Sequence, residues 1–259
     1  MLSLLRCEWY QVRKSMSLKI VIIIIVAASV VFGIKCTDAA YVSQIKVLDE
    51  TYILYFGGSI CSSMDDGAMA LLLASLFAGW MIGGSFENRM IQEAISYGKK
   101  RSTVYLAKML MYSMVVTVLC LIYWCVAALP AGFKNGLGTA DICGNLTQVP
   151  YIIGMIAADS IAYISLFTVC GIVGFFARKT GTTMGICFVG ILFGGNLLAS
   201  ILSEKIVRIV NYTPLGLYRH VLKLDVTWAD ICQTIGISLI WTFLIGVAGY
   251  LKFQKTELK

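Results

Sequence analysis

Charge is scarce in this chain. Asp, Glu, Lys and Arg make up 14% of its 259 residues, against about 25% in an average soluble domain. A soluble globule needs a polar coat, and this composition cannot supply one. Hydrophobic residues reach 59% and the mean hydropathy is +0.83, so the chain reads as a polytopic membrane protein. Little length is left for a separate soluble catalytic domain. Histidine is rarer still, with His220 alone. No serine has positional support as its partner, and Gly58-Ser59 and Gly84-Ser85 read as ordinary small-residue pairs. No catalytic residue is therefore expected. The nine cysteines contain no C-x-x-C pair, so no metal site is expected. A phosphate-binding G-x-x-x-x-G-K-[ST] loop is also missing, and Gly98-Lys99-Lys100 lacks its first glycine and its hydroxyl. If ATP drives this protein, the ATPase is another chain.

What is present is a series of apolar runs. The first 17 residues precede them. Leu2, Leu5, Trp9 and Val12 recur at helical spacing, while Arg6, Arg13 and Lys14 point elsewhere. This predicts a basic amphipathic helix lying on the inner membrane surface. The leader is long and no convincing cleavage site follows, so an uncleaved anchor is expected rather than a signal peptide. Six spans are predicted, at about 18–34, 68–84, 104–129, 151–176, 183–202 and 231–251. The apolar stretch 52–63 is too short to cross and is separated from the second span by Asp65-Asp66-Gly67. Pro130 with Gly132 is expected to end the third span. Asn145-Leu146-Thr147 is formally a glycosylation sequon, without assigned function. Arg178-Lys179 marks a tight inner turn between the fourth and fifth spans. Gly181, Gly185, Gly190, Gly194 and Gly195 read first as close helix packing, with a mobile seam as the alternative. An outer segment follows, in which 206–210 reads as interfacial helix and Tyr212-Thr213-Pro214 as a turn.

Six spans put both termini on one side. That side holds fourteen of the 21 Lys and Arg, counting Lys108, and the other holds seven. The excess of basic residues assigns it to the cytoplasm. The net charge of +7 then fits the anionic inner leaflet rather than nucleic acid. Cys36, Cys61 and Cys143 fall in outer segments, where a disulfide is permitted. Asp159 is the one acid well inside a span. It lies in the outer third, with Ser160 and Tyr163 as hydrogen-bonding neighbours, and is the candidate for a translocation path.

The most informative stretch is 84–108, GSFENRMIQEAISYGKKRSTVYLAK. Each of its charges would cost about 2.5–3.5 kcal/mol at a span centre, so it lies outside the bilayer. Phe86, Met90, Ile91, Ala94 and Ile95 give a short helix one apolar face, and Gly98 ends it. Such a helix either docks a soluble partner or lies on lipid headgroups.

Phe86-Glu87-Asn88, Ile91, Ser96-Tyr97-Gly98, Arg101 and Tyr105 to Lys108 resemble a stretch that follows the second span in permease subunits of ABC type-2 exporters. The span pattern extends the resemblance loosely over the whole chain. It departs at Arg89-Met90, where a glycine and a small polar residue are commoner. The resemblance implies an all-α half-transporter with six transmembrane helices. Leu5, Trp9 and Val12 would belong to an N-terminal elbow helix, and 86–97 to a cytoplasmic coupling helix. Phe86, Glu87, Arg89, Met90, Ile91, Glu93, Ile95 and Tyr97 would meet the ATPase. Within that set Met90 and Ile91 would bury in its groove, and Glu87, Arg89 and Glu93 would make charged contacts. The implied partners are a cytoplasmic ATPase dimer and a second, identical or related permease. ATP and magnesium would sit on the ATPase, and no cofactor on this chain. The short size and the absence of a large outer domain look most like bacterial permeases that handle antimicrobial peptides, as in lantibiotic self-immunity, which would place the chain in a bacterial cell membrane. A stand-alone channel, carrier or assembly factor is the alternative.

Overall fold

Apolar runs of this length have one way to satisfy their backbone in lipid, and they form helices. The computed structural model describes residues 2–36, 59–60, 63–64, 67–136, 148–201, 212–214, 216–222 and 226–255, and no strand occurs among them. Helix α1 (Leu2–Lys14) is joined to α2 (Met16–Cys36) through Ser15. The Ser15 hydroxyl accepts the Leu18 N–H at 3.2 Å and donates to the Val12 carbonyl at 3.0 Å. It therefore caps α2 at the point where the basic leader turns into the apolar run.

Helix α3 (Gly67–Phe77) widens into a π-helical segment (Ala78–Gly83) and continues as α4 (Gly84–Glu87). A short α5 (Met90–Ser96) follows, then the long α6 (Arg101–Asn135). Helix α7 (Val149–Ala177) carries Pro150 in its first turn, where the missing N–H costs nothing. Helix α8 is Thr180–Ile201, and a 3₁₀ turn at Leu217–His220 precedes α9 (Trp228–Lys255). Thr227 and Asp230 start α9 reciprocally. The Thr227 hydroxyl accepts the Asp230 N–H at 3.3 Å, and the Asp230 carboxylate accepts the Thr227 N–H at 3.1 Å.

Among the described residues, five helical stretches are long and apolar enough to cross a membrane: Met16–Lys35, Met69–Glu87, Arg101–Lys134, Val149–Ala177 and Trp228–Lys255. The stretch Met69–Glu87 is 72% buried, against 17% for the first and the last, so it forms the centre of the bundle. Helix α2 packs chiefly on α6, and α9 on α7. The outward faces of α2 (Ile20, Ile23, Ile24) and α9 (Ile240, Phe243, Leu244) are apolar and exposed, as lipid-facing surfaces are.

Three expectations change. Pro130 does not end the third span. Helix α6 runs through it to Asn135, and Gly136, with φ +77°, ends the helix. Gly33 of α2 makes this possible, because a Cβ there would stand 2.9 Å from the Pro130 Cγ and 2.3 Å from the Ala127 carbonyl oxygen. The proline ring sits in a notch that only glycine leaves open. Gly181, Gly185 and Gly190 of α8 do not pack closely either. A Cβ at Gly181, Gly185 or Gly190 would meet nothing within 4 Å. The close approach to α8 comes from Gly79 and Gly83 of the π segment instead. A Cβ at Gly79 would stand 2.8 Å from the Thr180 carbonyl oxygen, and one at Gly83 3.0 Å from the Thr180 nitrogen. Third, Lys108 is not a loop cation. It lies inside α6 and is buried. The short apolar stretch before α3 (apart from 59–60 and 63–64), the sequon, the 206–210 segment and the cysteines of the permitted disulfide lie outside the described residues or side chains.

Candidate functional site

The charged segment is built on the π-helical end of α3. Its wider turn and two glycines let the start of α8 seat against it. Glu87, at the end of α4, then reaches the first residue of α8. Its two carboxylate oxygens accept the Thr180 N–H at 3.1 Å and the Thr180 hydroxyl at 2.6 Å. A carboxylate at a helix N-terminus satisfies an orphan donor and faces the positive end of the helix dipole. The Thr180 hydroxyl bond, the backbone bond and the Lys179 charge together hold the Glu87 carboxyl below its ordinary value of 4.5, although the residue is exposed.

Between α4 and α5 the chain reverses at Asn88-Arg89. Arg89 adopts φ +55°, the left-handed region that favours glycine. This is the position at which the resemblance departs from a commoner glycine. Helix α5 ends in a Schellman motif. Gly98, at φ +80°, gives its N–H to the Ile95 carbonyl at 2.9 Å, and Lys99 gives its own to Ala94 at 3.2 Å. Gly98 thus ends the helix as its sequence position implies.

The predicted coupling residues divide into two groups. Phe86 and Ile91 are buried in the chain's own core. Phe86 meets Phe175 edge-on with centroids 5.8 Å apart and lies under the Arg178 guanidinium at 5.9 Å. Behind it Tyr105 contacts Phe175 at 4.8 Å and Phe253 at 5.8 Å. These aromatics anchor the segment to α6, α7 and α9. The expected burial of Ile91 in a partner's groove is thereby corrected, since its side chain is already enclosed. Met90 and Ile95 are half-buried, and Met90 Sδ accepts from Gln11 of α1 at 3.7 Å. Arg89, Glu93 and Tyr97 are exposed, Tyr97 by 83%. Their side chains carry no hydrogen bond or ion pair among the described residues. The sequence offered no means of separating these groups, because amphipathic spacing does not say which apolar face is already covered.

Sequence reasoning missed the centre of the site. The Lys108 ammonium lies 2.7 Å from the Glu8 carboxylate and 2.7 Å from the Ser85 hydroxyl, with side chains 5% and 15% exposed for Lys108 and Glu8. Ser85 in turn donates to the Met81 carbonyl at 2.5 Å. One buried ion pair therefore fastens α1 to α6 and to the π segment. The two residues are a hundred positions apart, and no local pattern announces the pair. Beside it a cavity of about 350 Å³ is lined by Glu8, Gln11, Trp80, Glu87, Met90 and Lys108, among others. In α1, Val12 is buried and Leu5 half-buried, but Trp9 is 51% exposed.

Asp159 is completely buried in α7. Its neighbour Ser160 donates to the Ile156 carbonyl at 2.7 Å, and Tyr163 donates to the Met64 carbonyl at 3.0 Å. Tyr163 also stacks on Tyr218 of the 3₁₀ turn at 5.1 Å, which ties the α8–α9 connection to the middle of α7. No family model, no curated protein and no solved structure matches the chain.

Proposed function

We propose that the chain is the transmembrane permease subunit of an ATP-driven exporter of the ABC type-2 kind. One observation carries this reading. Between two apolar helices stands a short charged projection whose outward side chains have no partner among the described residues. Ile91 and Phe86 fix it from below, Glu87 ties it to α8, and Arg89, Glu93 and Tyr97 face outward. A segment that merely rested on headgroups would present its apolar face to lipid. Here that face is turned into the bundle and the charged face is left for a soluble partner.

In this reading α1 is the elbow helix and α5, with its flanks, the coupling helix. Helix α8, at 22 residues or about 33 Å, completes six spans with both termini in the cytoplasm of a bacterial cell. Two permeases would pair with two ATPases, and the exposed apolar faces of α2 and α9 would meet lipid or the second permease. The cargo class is an antimicrobial or amphipathic peptide or another hydrophobic compound, and Asp159 is the candidate polar contact along its path. Cysteine crosslinking tests the reading. Tyr97→Cys is expected to crosslink to a co-expressed ATPase, and Tyr212→Cys, on the 3₁₀-turn side, is not. Solute transport by the purified chain without nucleotide would favour a stand-alone carrier.

A further inference from the structure

A second cavity lies on the flank of the bundle, away from the charged segment. It has a volume of about 700 Å³, within the roughly 300–1,000 Å³ range of small-molecule sites. Leu5 and Trp9 of α1 form one wall, and Leu110, Met114 and Val118 of α6, with Ile164 of α7, form the other. The three α6 residues are spaced four apart, so they make a continuous stripe about 12 Å long. Each is about half exposed. The lining is almost wholly apolar, and Arg6 is its one charged member. Arg6 is exposed and has no acidic partner among the described residues. The nearest acid in sequence, Glu8, is taken up by Lys108 on the other side of α1.

We propose that this cleft is a binding site for an anionic membrane phospholipid, with one acyl chain along the α6 stripe and the phosphate on Arg6. The charge argument selects this occupant. An apolar trough with a single unpaired guanidinium at the interfacial helix matches a ligand with one hydrocarbon tail and one anion. A helix from a second copy of the chain would leave Arg6 facing apolar side chains without a counter-charge. Trp9 is the kind of side chain that holds the level between headgroup and hydrocarbon. Arg13 and Lys14 lie further along α1 and add attraction for an anionic leaflet. This proposal rests on the membrane placement of the helices and not on the ATPase reading, so either can fail alone.

Native mass spectrometry of the detergent-purified chain tests it, with palmitoyl-oleoyl phosphatidylglycerol and the phosphatidylcholine of the same chains as probes. Phosphatidylglycerol is expected to bind about fivefold more tightly, the weight of one basic residue near a lipid surface. Arg6→Gln should bring the two lipids to equal affinity, and Met114→Trp, which fills the trough, should weaken both. Arg6 is exposed, so its substitution tests the site without threatening the fold. Phosphatidylglycerol with brominated chains should quench the fluorescence of Trp9, read as the difference from Trp9→Phe. Equal affinity for both lipids in the unaltered chain would overturn the proposal, as would a preference that survives Arg6→Gln. Displacement of the lipid by millimolar inorganic phosphate would reassign Arg6 to a free anion. A dimer that Met114→Trp dissolves would reassign the cleft to a second copy.

Discussion

Replacing Glu8 with glutamine would leave the Lys108 ammonium inside the bundle with the Ser85 hydroxyl and a neutral amide. The Lys108 side chain is 5% exposed and cannot rewet without parting α1 from α6. Breaking one side of a buried ion pair costs about 3–5 kcal/mol. The Ser85 bond at 2.7 Å survives, which places Glu8→Gln at the lower end, about 3 kcal/mol. Lys108→Met should cost less, about 1–2 kcal/mol, because Glu8 is 15% exposed and can turn to water. The double variant should lie close to Lys108→Met alone, since the stranded charge is gone. That non-additivity, about 3 kcal/mol, is the signature of a direct pair. Thermal unfolding of the detergent-solubilised protein measures it. At about 2–4 °C per kcal/mol for a chain of this size, Glu8→Gln should lower Tm by roughly 6–12 °C. Amide exchange should rise first in α1, which loses its buried tie. Additive single effects below about 0.5 kcal/mol would refute the pairing.

Other perturbations test the rest of the architecture. Gly33→Ala places a methyl 2.3 Å from a backbone oxygen and should destabilise by more than about 2 kcal/mol, whereas Gly185→Ala, in open space, should gain about 0.5–1 kcal/mol of helix propensity; unfolding of the two variants side by side measures both. Arg89→Gly should relieve a left-handed backbone and be neutral or stabilising by up to about 1 kcal/mol, and Arg89→Val should be destabilising. The lowered Glu87 carboxyl contributes stability that is present above its unfolded value and is lost as pH falls through the lower folded value. The stability difference between the unaltered chain and Glu87→Gln should therefore shrink as pH drops below 4.5, and a difference unchanged between pH 7 and pH 3 would contradict the Thr180 bonds.

Much of this architecture is readable from composition. Long apolar runs have no soluble alternative, and Gly98 followed by a cationic cluster can hardly do anything but end a helix. The α7–α8 turn is equally plain, since Arg178-Lys179 stands between two apolar runs, and Arg178 closes α7 at φ +54°. What the sequence hides is pairing between distant elements. Pro130 looks like a terminator until Gly33 of another helix supplies the notch for its ring. Lys108 looks like one more basic loop residue until Glu8 arrives beside it. Gly181, Gly185 and Gly190 of α8 attract attention by their spacing, yet Gly79 and Gly83 make the close contact, because they sit where a π turn turns its backbone toward Thr180. Glu87 has the look of a docking residue, but its carboxylate is occupied within the chain. Its reversal would unseat α8 as well as alter any interface, so Arg89, Glu93 and Tyr97 are the cleaner probes.

The central claim is that the exposed side of the 87–97 projection holds a separate ATPase. Co-purification measures this directly. The tagged chain, co-expressed with the products of its neighbouring genes, is recovered in mild detergent, and any P-loop ATPase that comes with it is quantified. The account predicts a one-to-one complex that the paired substitutions Arg89→Glu and Tyr97→Ala dissolve and Gly185→Ala leaves intact. A well-folded chain recovered without the ATPase, or a complex indifferent to the paired substitutions, would contradict it.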